Sequence, residues 1–456
     1  MVVIGFYLSN RVKQASDFLI AGRKLGLILT TATLAAVQVG AGVILGGAEM
    51  AAESGIWPGM WYGIGCGGGL ILAGLLVAGK LRRRGGIVPL DFFAHRYREK
   101  KWVRVWGLIS NIPSLLGIFV AQIMAAGAIF KLFGLSYTQG VLISGIVIML
   151  YSVMSGMWGV VVTDFVQIGI IVLGIPLVAI ILITKMAGTE GITIGSILFT
   201  KFIPKGLFSK AIFTILPFLL SISVSYDAFM RFQSAKSEDV AKWGAILGGI
   251  LVIFISFCAS FVGAAGKALN PSLENGIVFS QMTKNILSPV FGGLVVAALL
   301  AAAMSSANCL LISLSGCFTR DLYNKVFHPS AQLNQLKYAK ILSRTVIVLA
   351  LIVGVLIAFR AKGIINTIII FNYPYMGSMI IPLLGGVLWD RATVQGAVAA
   401  MITGGIIGVL SFLAGIPGKL YGLFNIDLGL LIAYGASTIV FILVSSLTPA
   451  HHRKLI

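Results

Sequence analysis

Apolar residues run in blocks along almost the whole chain, and polar residues gather in the short intervals between them. A helix crossing the hydrocarbon of a bilayer needs about 20 such residues. Twelve blocks meet that need, at 25–52, 57–79, 105–133, 137–157, 159–184, 211–230, 243–266, 288–317, 343–361, 363–388, 393–414 and 427–448. Before them, Met1 to Leu8 is too short to span and lacks the parts of a signal peptide; it resembles the tail of a helix that begins upstream. The longer intervals 85–104, 185–210 and 267–287 are expected to carry short surface helices. The pattern predicts an all-α polytopic membrane protein, a single integral domain over 1–456 with no separate soluble part.

Composition agrees. The 456 residues are 58% hydrophobic and 11% charged, with a mean hydropathy of +1.01. A soluble domain is about 25% charged, so a soluble protein, a disordered chain and a secreted disulfide scaffold are all excluded. Glycine, at 55 residues, suits helices that pack closely in lipid. The net charge of +20 would suggest nucleic acid in a soluble protein. Here topology accounts for it: with 9–24 placed inside and the spans alternating, 24 of the 34 Lys and Arg fall inside and 10 outside. That sets segment 9–24 and the C-terminus in the cytoplasm, in a plasma or inner membrane, with no nucleic-acid partner. Cys66, Cys258, Cys309 and Cys317 lie in apolar segments without metal-ligand spacing, and the four histidines lie in polar ones. No His/Cys/carboxylate cluster occurs at membrane depth, and Gly67-Gly-Gly69 lacks the Lys-Ser/Thr of a phosphate loop. The expectation is therefore not an enzyme, and no organic cofactor.

Charges at membrane depth are costly and usually functional. Glu49 sits near the outer end of the first span, within reach of water. Asp164, near the start of the fifth, has no basic residue close in sequence; it either ties helices together or helps hold or pass an ion. Asp227 follows Ser221-Ile-Ser-Val-Ser-Tyr226, a polar break in the sixth span, and either contacts a solute or pairs with Arg231 at i+4. The first span has its own interruption, with Gln38, Gly40 and Gly42 in mid-membrane. Unwinding there would free the carbonyls of Ala36 and Val39, which is tolerated only where backbone lines a cavity or is buried in protein. In the eighth span Ala302, Ser305 and Ser306 share one helix face, so two hydroxyls stand beside carbonyl oxygens. A neutral, all-oxygen set suits a monovalent cation. Interrupted helices at matching positions in two halves point to a transporter binding site. Helices one to five (25–184) would then repeat, inverted, as six to ten (211–388), with 393–448 as two extra spans.

Four segments in this order resemble the sodium/solute symporter family. They are Asp17-Phe-Leu-Ile-Ala-Gly-Arg23, Trp158 to Gln167 with its Thr-Asp pair, Arg231-Phe-Gln-Ser-Ala-Lys-Ser237, and Ala302-Ala-Met-Ser-Ser306 continuing to Arg320-Asp-Leu-Tyr323. The resemblance implies the leucine-transporter-like 5+5 inverted-repeat bundle with a truncated N-terminal helix, and sodium-coupled symport of a small organic solute by alternating access. It implies sodium on the carbonyls of Ala36, Val39 and Ala302 and the hydroxyls of Ser305 and Ser306, with Asp164 assisting ion release or building a second site. Asn308 and Cys309 stand where members with a second sodium carry serines. Val39 to Glu49 looks most like the choline-carrier branch, except that Gln38 replaces a Trp. Polar and aromatic residues expected to line the solute site are Gln38, Tyr62, Gln122, Tyr226, Asp227, Asn372 and Tyr373, with Pro374 either a hinge or a simple kink. The partners expected are the solute and the bilayer, with the monomer as the functional unit. Two other readings stay open: a proton-coupled transporter using Asp164 or Asp227, and a solute sensor that does not transport.

Overall fold

The computed structural model describes residues 6–7, 14–97, 101–131, 134–187, 192–273, 278–361, 364–413 and 428–449. These residues are overwhelmingly helical, and among them the one β-type feature is an isolated bridge between Leu25 and Ala235. In chain order the helices are α1 (Ala15–Ile20), α2 (Leu27–Gln38), α3 (Gly47–Ser54), α4 (Ile56–Leu76), α5 (Ala78–Arg84), α6 (Pro89–Tyr97), α7 (Lys101–Phe130), α8 (Tyr137–Met186) and α9 (Ile194–Leu198). They continue as α10 (Phe208–Ser223), α11 (Tyr226–Ser234), α12 (Glu238–Leu269), α13 (Val278–Ile286), α14 (Pro289–Gly316), α15 (Ala339–Ala358), α16 (Ile364–Ser378), α17 (Ile380–Leu388), α18 (Val394–Leu413) and α19 (Leu428–Leu447). Among the described residues eight stretches are long and apolar enough to cross a membrane, counting the two parts of α8 separately. The bent pair formed by α2 and Gly42–Ser54 makes a ninth. Shorter apolar helices at Tyr375–Leu388, Val394–Leu410 and Leu431–Leu447 give every predicted block its helix. The N-terminal stub lies mostly outside the described residues; Phe6 and Tyr7 are helical and exposed.

The breaks matter most for function. The first span bends by 58° between α2 and the π-helical turn Gly42–Gly46 that leads into α3. The Ala41 N–H donates to Gln122 Oε1 at 3.0 Å instead of to the helix behind it. Gly40 permits this approach: a Cβ there would sit 2.7 Å from Gln122 Oε1 and 2.9 Å from Ser306 Oγ. The sixth span breaks between α10 and α11 at Val224 and Ser225, inside the predicted Ser-rich stretch. Ser225 caps α11 through the Ala228 N–H at 3.4 Å, and the Tyr375 hydroxyl donates to the freed Val224 carbonyl at 2.7 Å. Serine hydroxyls compete with helical bonding, which is why such a stretch gives way.

Three details differ from expectation. In α16 the helix runs on through Pro374, and the interruption of the tenth span falls at Met379 rather than at residues 372–375. Helix α6, expected at the surface, buries Leu90, Asp91, Phe92, Phe93 and Tyr97. The fourth and fifth spans form one helical run, α8, turned at Gly156 (φ 52°, ψ −147°). A Cβ at Gly156 would lie 2.6 Å from the Phe18 ring and 2.7 Å from the Phe18 carbonyl oxygen, so helix α1 packs where only glycine fits.

Candidate functional site

Where the first span breaks, α14 lies against it. The Ser305 hydroxyl stands 3.0 Å from the Ala36 carbonyl oxygen and 3.1 Å from that of Ala302. The Ser306 hydroxyl stands 3.3 Å from the Ala36 oxygen and 2.9 Å from the Val37 oxygen. These residues are fully or almost fully buried, except Val37, which keeps 8% exposure. The cluster has three carbonyls and two hydroxyls: four close oxygen–oxygen contacts share only two protons. Neutral oxygens gathered at this range are the ligand type of a hard cation. Of the predicted ligands the structure brings together Ala36, Ala302, Ser305 and Ser306. Val39 is the residue that closes α2, with ψ turned to 63°. In the described contacts the second carbonyl of the first span to meet Ser306 is that of Val37, not Val39.

Asp164 lies one helical turn away on both sides. Thr33, three residues before Ala36, donates its hydroxyl to Asp164 Oδ2 at 2.5 Å. Cys309, three residues after Ser306, places its thiol 3.5 Å from the same oxygen. The cation absent from the local sequence comes from α11: Arg231 Nη2 lies 3.8 Å from Asp164 Oδ2, and its Nε donates to Thr33 Oγ1 at 2.9 Å. Arg231 thus serves Asp164. It meets Asp227 only at the backbone carbonyl, at 2.9 Å, which removes the i+4 ion pair of the sequence reading.

Next to the oxygen cluster is a cavity with about 660 Å³ of empty space, its open mouth included. It gathers Gln38, Tyr62, Gln122, Tyr226, Asp227 and Asn372 from five different spans. Of the seven predicted lining residues, the side chain of Tyr373 lies outside the described residues. Tyr375 lines the cavity instead, with Phe218, Ser221, Ser225, Asn111 and Ser114. The last two had a readable signal: Asn111, Ser114 and Gln122 fall at i, i+3 and i+11, on one face of the mostly apolar α7. Glu49, as expected, is exposed and takes no part.

A second polar group lies beyond Tyr226. The Tyr226 hydroxyl donates to Asp321 Oδ2 at 3.0 Å. Arg104 donates to Asp321 Oδ1 at 2.7 Å and to Asp91 Oδ1 at 2.9 Å, while Arg320 donates to Asp91 Oδ2 at 3.0 Å. The Ile87 N–H adds a further bond to Asp91 at 2.9 Å. Asp91 and Asp321 fall in intervals between the predicted spans, yet they are 2% and 0% exposed. Burial alone would raise the Asp91 carboxyl, but the flanking Arg320 and Arg104 guanidinium groups outweigh it and hold the group below the usual carboxylate range.

Comparison with known proteins agrees with this geometry. The model of the Sodium:solute symporter family matches residues 18–404, and the chain belongs to that family. The sodium/proline symporter of Salmonella typhimurium is 26% identical over 452 residues, covering 92% of this chain and 89% of that protein. Among solved structures, a substrate-bound, outward-open Na+-coupled sialic acid symporter superposes with a TM-score of 0.75 at 18% identity, covering 99% of this chain and 96% of the other. MhsT in complex with L-phenylalanine superposes with a TM-score of 0.55 at 18% identity, covering 91% and 98%. The fold is therefore the leucine-transporter-like bundle of Na+-coupled symporters, and the family is one of multi-pass membrane transporters rather than enzymes.

Proposed function

We propose that this chain is a sodium-driven symporter of a small organic solute. One observation carries the reading: two buried serine hydroxyls lie within 3.3 Å of three carbonyl oxygens, two of them at a break in the first span. Sodium is cargo here, held by Ala36, Val37, Ala302, Ser305 and Ser306, with Val39 turned at the edge of the break. The solute occupies the neighbouring cavity, which shares Val37 and Gln38 with the broken segment. Occupation of the cluster favours the conformer that completes the cavity, because an ion drives transport only by binding the two states unequally. Asp164, tied to both cluster helices, is placed to ease the ion out. The inverted repeats 25–184 and 211–388 would carry the two broken spans at equivalent positions, and the Lys/Arg bias puts segment 9–24 and the C-terminus in the cytoplasm.

The named relatives carry proline rather than choline, and Gln38 supplies an amide where a quaternary ammonium would want an aromatic face. A small amino-acid-like solute therefore suits the cavity better than choline. The test is proteoliposome uptake of radiolabelled proline and a panel of small solutes under an imposed sodium gradient, with a proton gradient in parallel. Sodium-driven accumulation that disappears in S305A/S306A supports the proposal. Accumulation that follows protons and ignores sodium assigns the coupling to Asp164 or Asp227. Solute binding with no accumulation under either gradient makes the protein a sensor.

A further inference from the structure

The cavity carries a single formal charge, and it is negative. Asp227 lies in the first turn of α11, 5% exposed. Its Oδ2 accepts from Gln38 Nε2 at 3.2 Å. Among the described residues no cation lies within 4 Å of its carboxylate, because Arg231 spends its guanidinium on the Asp227 backbone carbonyl, on Thr33 and on the Asp164 side. Among the described residues no Lys, Arg or His lines the cavity.

The other lining groups tilt the same way. The hydroxyls that line the cavity have their protons engaged within the protein: Ser114 donates to Asn372 Oδ1, Tyr375 to the Val224 carbonyl and Tyr226 to Asp321. The Asn372 amide donates to the Ile368 carbonyl at 2.8 Å. Asn111, 1% exposed, donates to the Gly107 carbonyl at 2.7 Å, which leaves its Oδ1 buried without a partner. Besides the amide groups of Gln38 and Gln122, the cavity offers a ligand two acceptors, the Asp227 carboxylate and the Asn111 amide oxygen. A buried acceptor without a donor is costly, and a buried carboxylate is costly unless paired. The complementary ligand brings N–H donors and a positive charge.

We propose that Asp227 selects for solutes that carry a protonated primary or secondary amine, as cation or zwitterion, and against anions, with Asn111 as a second acceptor. This deepens the proposed function and rests on its assignment of the cavity as the solute site. The distinction is chemical. A quaternary ammonium has the charge but no N–H, a simple carboxylate has neither, and a zwitterion with a free amine has both.

Binding is read as thermal stabilisation of the purified protein in detergent with NaCl, using four probes of similar size: proline, pyrrolidine, N,N-dimethylproline and cyclopentanecarboxylate. Proline and pyrrolidine are expected to stabilise, N,N-dimethylproline to bind at least tenfold more weakly than proline, and cyclopentanecarboxylate not to bind. Asp227→Asn is expected to weaken proline at least tenfold while leaving the stabilisation by NaCl over KCl intact. Equal binding of cyclopentanecarboxylate and proline by the unmodified protein, no response to either amine, or proline affinity unchanged in Asp227→Asn would each overturn the proposal. The unmodified protein alone decides the first two, so a misfolded variant does not rescue the idea. Loss of the NaCl response in the unmodified protein would count against the sodium reading instead, separately from the amine.

Discussion

The two buried polar groups joined by Tyr226 are built on opposite principles. In the group around Asp91 and Asp321, each carboxylate meets an arginine, and Tyr226 and the Ile87 N–H fill further lone pairs. In the group around the break in the first span, two serine hydroxyls crowd against three carbonyl oxygens, and Asp227 nearby is held by Gln38, the Ser225 side chain and backbone N–H groups but meets no cation within 4 Å among the described residues. The first is saturated and ties α6, α7 and the π-helical segment Cys317–Phe327 to the start of α11. The second is left wanting partners. A saturated network fixes a structure; an unsaturated one leaves groups for a ligand to pair.

The sharpest way to break this contrast is to remove one partner from the saturated group. Arg104→Met removes the guanidinium that two buried carboxylates share and should cost about 3–5 kcal/mol, read as a large fall in the unfolding midpoint in detergent, with or without sodium. The same type of change in the unsaturated group should act on ligand response instead. S305A/S306A should unfold near the wild-type midpoint in KCl yet lose the sodium-dependent gain, which at a hundredfold excess over Kd is about 2.7 kcal/mol. If both variants simply lowered stability, the distinction would fail.

A smaller effect should appear with acid. Asp91 is held below its unfolded value of about 3.9, so the stability it contributes is full above that value and is lost as pH falls toward the lower folded one. Between pH 6 and pH 3, unfolding midpoints of the wild type should fall more steeply than those of Asp91→Asn. Least of all should follow from the exposed Arg83–Glu238 pair, bonded at 2.7 Å. Glu238→Gln should leave the midpoint unchanged in 0.15 M salt, since exposed pairs are screened.

Much of the architecture was legible because the bilayer imposes one length on every span, and both broken spans because Gly, Ser and Gln stand out against Leu and Ile. The Ser305–Ser306 face followed from helical spacing alone. The register of the freed carbonyls did not. Whether Val37 or Val39 meets Ser306 depends on Gln122 capturing the Ala41 N–H from another span, a tertiary event with no local trace. Arg231 could be paired by spacing only with Asp227, whereas folding aims it at Asp164. Asp91 and Asp321 fall between the predicted spans, and burial of a connection is decided by what packs over it. Asn111 and Ser114, by contrast, were present as a stripe with Gln122 and needed only the helical period to be applied.

The close contact of α4 with α12 has a mechanical consequence. A Cβ on Gly67 would lie 2.6 Å from the Gly249 carbonyl oxygen, and one on Gly249 would lie 2.3 Å from that of Gly67, with Ile253 and Ile71 branches beside them. Backbone rests directly on backbone, so sliding one rod past the other by a single residue would drive an isoleucine into the main chain. Any rearrangement of the bundle that keeps this seam carries the two spans together as a welded pair, and its motion lies at some other seam.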